Sequence, residues 1–148
     1  MSKPIEIPFE TTLLVRDTCL CLHLQRAARA TARRFDDALR PLGLTNGQFS
    51  LMMSLNRPEP PTIGSIAALL AMDHTTLTAA LKPLERRGLI AVKPNPKDKR
   101  SRLLTLTPAG RNLLASAVPV WEGTHKSLDS LLGGSDPHQL RNDLRSLS

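Results

Sequence analysis

Tyrosine is absent from this chain of 148 residues, and aromatic residues make up only 3% of it, with Trp121 the sole tryptophan. So few rings leave no platform for stacking bases, which argues against a binder of single-stranded nucleic acid. Cysteine is also scarce: Cys19 and Cys21 stand two residues apart, too close for an unstrained disulfide in regular structure. Free thiols fit a reducing compartment. No apolar run reaches the about 18 residues of a membrane span. The N-terminus, Met1-Ser2-Lys3-Pro4-Ile5-Glu6, lacks the apolar core of a signal peptide. A cytoplasmic protein without a membrane partner is expected. A glycine-rich phosphate loop and a Ser-His-Asp spacing are missing as well, and His23, His74, His125 and His138 are scattered without ligand spacing. The chain is therefore expected to be no enzyme and to hold no metal or cofactor.

What the chain does have is a core and an excess of positive charge. Hydrophobic residues make up 41%, enough for one compact protomer, and the net charge is +7. The excess is not spread evenly. Residues 57–111 carry 10 basic and 4 acidic groups, whereas residues 112–148 carry 3 and 4. A cationic middle third suggests a polyanionic partner, nucleic acid or an anionic surface.

The residue pattern predicts an N-terminal arm of about ten residues and one long helix from Thr12 to about Leu39, ended by Pro41 and Gly43. Thr45 and Gln48 stand in capping-box register and open a second helix with Phe49, Met52 and Leu55 inward. Thr62 caps a third, with Ile63, Ile66, Ala67 and Leu70 on one face. Asp73 caps a fourth, His74–Arg87, closed by Gly88. Leu89–Val92 and Arg102–Leu106 read as a hairpin with a long basic tip. Thr107-Pro108 starts a fifth helix reaching about Leu132, with a kink or break expected near Ser116–Val118 because of Pro119. Ser135-Asp136-Pro137 starts a short sixth. The predicted fold is mainly α with a small β-hairpin wing: a winged helix-turn-helix with long additional helices.

The fourth helix carries the functional signal. Leu77, Leu81 and Leu84 form its core stripe. Thr75, Thr78, Ala79 and Lys82 form a second stripe about 200° away. Short hydroxyls ending in a cation suit a helix entering the major groove, where Thr bonds base edges or touches a thymine methyl and Lys82 reaches guanine or phosphate. Thr76 joins this group of candidates. The hairpin tip, Lys93 to Arg102, has five cations around one acid. Arg100 suits a narrow minor groove, Lys97 and Lys99 suit phosphates, and Asp98 is expected to aim Arg100 through an ion pair. Arg86 and Arg87 are expected to complement the helix dipole and face phosphates. The alternatives are a solvated helix face and a winged-helix module that binds protein.

Leu42-Gly43-Leu44-Thr45 with Gln48-Phe49, Asp73-His74-Thr75-Thr76-Leu77, Leu84-Glu85-Arg86-Arg87-Gly88-Leu89-Ile90, and Asp98-Lys99-Arg100-Ser101 with Leu106-Thr107-Pro108-Ala109-Gly110 resemble, in order, the MarR family of bacterial transcription regulators. The resemblance implies a homodimer on a pseudo-palindromic double-stranded DNA operator, a repressor released by a small anionic or phenolic effector. It implies Arg100 as the wing-tip arginine with Asp98 as its partner, and dimerisation through the first, fifth and sixth helices. The chain then divides into residues 1–40 (arm and first dimerisation helix), 41–106 (winged helix-turn-helix) and 107–148 (C-terminal dimerisation helices). Where many members carry Arg, this chain has Ala79, so base preference leans on Thr75, Thr78 and Lys82. Independently, Leu128, Leu131, Leu132, Leu140, Leu144 and Leu147 form apolar faces larger than a small winged unit covers.

Some relatives sense hydroperoxides through a cysteine near the place of Cys21, surrounded by tyrosines. With no tyrosine here, other donors would have to serve. On a continuous helix Cys19 and Cys21 point about 200° apart and cannot share a metal. Arg16, Cys19 and His23 lie where the family binds ligands and are the candidate effector residues.

Overall fold

The computed structural model describes residues Met1–Ser148. Seven α-helices, one 3-10 turn and a two-stranded sheet follow in the order α1 (Phe9–Thr18), α2 (Leu20–Leu39), the 3-10 turn (Arg40–Leu42), α3 (Asn46–Ser54), α4 (Ile63–Leu69), α5 (His74–Arg86), β1 (Ile90–Pro94), β2 (Arg102–Leu106), α6 (Pro108–Ser130) and α7 (Pro137–Ser146). The chain forms two compact units, Met1–Arg34 and Phe35–Ser148.

In the first unit the expected single long helix is two. Cys19 adopts φ −65° and ψ 109°, an extended backbone that ends α1 before α2 begins. No proline or glycine marks the break. Two side chains add bonds to carbonyls flanking the break: Thr18 Oγ1 donates to the Leu14 carbonyl at 2.6 Å, and His23 Nδ1–H donates at 2.7 Å to the Cys19 carbonyl, which also accepts the His23 amide at 3.1 Å. Back-bonding of the Thr18 kind, from a hydroxyl to the carbonyl four residues earlier, tends to bend helices. The helix also starts earlier than expected, at Phe9, so the arm ends at Pro8.

The second unit is built around buried Leu39, Leu44, Phe49, Leu51, Met52, Leu55, Ile66, Leu77, Leu81, Leu84, Ile90, Leu104, Leu106 and Leu114. Every helix start predicted in this region from a capping side chain is observed. Thr45 and Gln48 form both halves of the capping box, Thr62 accepts from the Ser65 amide, and Thr107 accepts from the Gly110 amide. Gly88, at φ 71°, closes α5, with its amide bonded to Glu85 and the Leu89 amide to Leu84. That pair is a Schellman closure. It holds Leu89 outside the sheet, so β1 starts one residue later than expected and extends to Pro94. The strands pair antiparallel with Ile90 opposite Leu106 and Val92 opposite Leu104. The sequence also hid a bridge from Thr62 to Leu103, reinforced by Leu104 N–H to the Pro61 carbonyl at 2.9 Å.

Of the kink or break expected near Ser116–Val118, the break does not occur; α6 runs unbroken across Pro119. Pro119 and Ala115, whose carbonyl loses its helical donor, are both exposed, which leaves the freed oxygen open to solvent.

The turn between α4 and α5 contains a strained residue. Ala71 sits at φ 53°, the only non-glycine residue at positive φ. The Met72 amide bonds the Ala67 carbonyl and the Ala71 amide bonds that of Ala68, so alanine occupies the place glycine normally takes in this closure. Ala71→Gly is expected to raise stability by about 1 kcal/mol, since a left-handed conformation costs an L-residue roughly that much. Urea unfolding checks it; a lower midpoint would show that alanine is at ease there.

Candidate nucleic-acid interface

Helix α5 sits with one face in the core. Leu77, Leu81 and Leu84 are all buried, whereas Thr75, Thr78, Ala79 and Lys82 are exposed, as the offset stripes require. Thr76 is exposed too, but its hydroxyl donates to Asp73 Oδ2 at 2.9 Å, and its amide to Asp73 Oδ1 at 2.7 Å. Its hydroxyl is thus committed to the cap. These bonds, the Thr76 amide first, hold the Asp73 carboxyl below its ordinary range.

A carboxyl with its pKa lowered in the folded state adds stability above the unfolded value, and that stability is lost as pH falls. Thermal stability is therefore expected to fall on the acid side of 3.8, the ordinary value. Asp73→Asn, which caps without titrating, should flatten that part of the profile. An identical acid limb in both proteins would refute the assignment.

Farther along α5, Lys82, Glu85 and Arg86 line an open surface depression of about 450 Å³. Lys82 and Arg86 thus border the same patch of surface, with one acid beside them. Arg87, also expected to face phosphates, has a partner within the protein. Its Nη1 donates to the Gly43 carbonyl at 2.7 Å, in the turn ahead of α3.

At the wing, the loop from Asn95 to Ser101 is ordered by its own polar side chains. Asn95 Nδ2 donates to Ser101 Oγ at 2.8 Å, and Asn95 Oδ1 accepts from the Lys97 amide at 3.0 Å. Asp98 Oδ1 accepts from the Arg100 amide at 2.9 Å and lies 3.8 Å from Arg100 Nε. The expected ion pair is present only at the outer edge of pairing, and the closer contact of Asp98 is with the Arg100 backbone amide. The Arg100 side chain is 96% exposed. Lys97 and Lys99 are exposed beside it.

The candidate effector residues are only partly brought together. His23 holds the Cys19 carbonyl, but Arg16 Nε pairs with neighbouring Asp17 at 2.7 Å. Because Cys19 lies between helices, the continuous-helix argument about the two thiols no longer applies. No three His, Cys, Asp or Glu side chains are grouped to hold a metal. Sequence reasoning missed two contacts outright: Gln25 Nε2 donating to Cys21 Sγ at 3.3 Å, and Asp36 Oδ1 accepting from both the amide and the Nδ2 of Asn46, at 2.7 and 2.8 Å. The first has a signal, the i,i+4 spacing on a helix. The second joins residues ten apart across a turn and has none.

A helix-turn-helix whose second helix exposes small polar groups, followed by an ordered cationic hairpin, defines a winged helix-turn-helix DNA-binding protein. Comparison with known proteins gives its family. The MarR family profile matches residues 44–101. The organic hydroperoxide resistance transcriptional regulator of Bacillus subtilis is 34% identical over 128 residues, 86% of each chain. The transcriptional regulator MosR of Mycobacterium tuberculosis, solved in complex with DNA, is similar with 35% identity and a TM-score of 0.80, over 88% of this chain and 93% of that one. The transcriptional repressor CouR, solved on a 23-mer DNA duplex, is 32% identical with a TM-score of 0.71, over 86% and 88%. The chain belongs to the MarR family and is a DNA-binding transcription regulator, not an enzyme. No helix is long and apolar enough to cross a membrane.

Proposed function

We propose that the protein is a homodimeric repressor that binds a pseudo-palindromic operator and is released by a small anionic or phenolic effector. The observation that carries the DNA contacts is the exposed stripe Thr75, Thr78 and Lys82 opposite fully packed leucines, beside a wing tip with a free Arg100. In this reading the stripe, with Thr76 at its start, enters the major groove, and Arg100 enters the minor groove. Lys97, Lys99 and Arg86 take phosphates. The dimer reading is supported by exposed Leu131, Leu140, Leu144 and Leu147, which a second copy would cover. Arg16, Cys19 and His23 are the candidate effector contacts.

Salt titration of binding to selected genomic duplexes tests the proposal. Affinity should fall steeply with salt, and Arg100→Ala should flatten the logarithmic slope by about one unit for each wing engaged. Binding indifferent to salt would remove the reading.

A second reading makes Cys21 the signal receiver. It is favoured by the Gln25 amide against an exposed sulfur in the first turn of α2, and by the hydroperoxide-resistance relative. The thiolate would attack the O–O bond of a hydroperoxide, forming a sulfenic acid and releasing an alcohol once the alkoxide takes a proton. Peroxide should then abolish DNA binding by the natural protein and spare Cys21→Ser. Equal loss in both, or none, would discard this reading.

A further inference from the structure

The turn joining α2 to α3 is held from two sides. On one, Asp36 in the last turn of α2 accepts two bonds from Asn46, the first residue of α3. On the other, the Arg87 guanidinium, at the C-cap of α5, reaches back across 44 residues to the Gly43 carbonyl at 2.7 Å. Gly43 sits at φ 70°, its amide closing the 3-10 turn on the Arg40 carbonyl. A Cβ there would stand 3.2 Å from Arg87 Nη2, so the guanidinium lies against bare backbone. The two ends of α5 are therefore fixed differently. Asp73 caps the N-terminal end from within the adjoining turn, whereas a side chain ties the C-terminal end to another part of the fold.

We propose that Arg87 is a positioning residue for DNA recognition. Through the Gly43 carbonyl it sets the pose of α5 on the α2–α3 turn, so that Thr75, Thr78 and Lys82 meet the groove in one register, while Arg87 itself touches no DNA. The proposal rests on the DNA-interface reading above. It distinguishes Arg87 from its neighbour Arg86, which has no protein partner and faces the depression shared with Lys82. Two adjacent arginines thus act by different means, one through the fold and one on phosphate. Base-edge hydrogen bonds are short and directional, so a tilt of α5 weakens several of them together.

Arg87→Met keeps the aliphatic stem and removes the donors; Arg86→Met is its control. Affinity for a genomic duplex selected by the natural protein is measured from about 50 to 200 mM salt, below each variant's Tm. Arg87→Met is expected to bind about tenfold more weakly at every salt concentration with an unchanged slope. Arg86→Met should lower the slope by about one unit per contact. Arg87→Lys, which keeps a donor within reach, should recover part of the loss. A slope that drops with Arg87→Met would make Arg87 a phosphate contact and overturn the proposal. A lower Tm with unchanged affinity would make it a stabilising residue only, and overturn it too. Should Arg87→Met fail to fold, Arg87→Gln is measured in the same way, with the same deciding outcomes. A natural protein without salt-dependent binding would remove the DNA reading and the proposal together, whereas normal binding by Arg87→Met would remove only the proposal.

Discussion

Gly110→Ala is expected to destabilise the winged unit by about 3 kcal/mol or more, a large share of a small domain's total stability. A Cβ at this position would stand 2.0 Å from the Leu89 carbonyl oxygen and 3.0 Å from its carbon. The obstacle is backbone, so no rotamer change relieves it. Nor can Leu89 easily withdraw, because the same carbonyl accepts the Thr107 amide at 3.1 Å, and the Thr107 hydroxyl donates to the Gly88 carbonyl at 2.6 Å. The start of α6 is therefore seated directly on the residues leading into the wing. Within a helix alanine is ordinarily the better residue by about 1 kcal/mol, so the sign of the effect is informative. Urea unfolding measures it. A midpoint equal to or above that of the natural protein would show that α6 can move away from Leu89 at little cost.

Loss of the wing cations should produce the largest functional effect. The triple variant Lys97→Ala, Lys99→Ala, Arg100→Ala is expected to weaken DNA binding by about 100-fold near physiological salt and to leave the thermal midpoint in place. All three side chains are exposed, and their charges make no close contact within the protein beyond the 3.8 Å approach to Asp98. Asp98→Ala provides the sharper test. Removing an acid beside phosphate should strengthen binding if charge alone matters. Here Asp98 accepts the Arg100 amide, so its removal should loosen the tip and weaken binding despite the added positive charge. Tighter binding by Asp98→Ala would show that the loop's order contributes nothing.

Much of the site is legible before any coordinates. The two stripes of α5 follow from helical periodicity alone, because three leucines on one face leave Thr75, Thr78, Ala79 and Lys82 pointing away. The starts of α3, α4, α5, α6 and α7 follow from capping side chains that act within three residues of themselves. The run Thr107-Pro108-Ala109-Gly110 is readable as a helix start, but the need for glycine at its fourth place is not. That need arises from a carbonyl 21 residues earlier in the chain. Arg86 and Arg87 are alike in sequence and differ only in what lies opposite them. The break at Cys19 was hidden as well: no residue there forbids a helix, and the extended Cys19 backbone carries no signal in the local pattern.

By itself, then, the amino-acid order determined the succession of elements from α3 onward, the buried and presented faces of α5 and the cationic tip, since each depends on periods and caps a few residues long. Tertiary structure alone decided which arginine is tied to Gly43, which groups Asp98 bonds and why Gly110 carries no side chain. Those outcomes depend on groups far apart in the chain meeting at hydrogen-bond distance, and local pattern holds no record of such meetings.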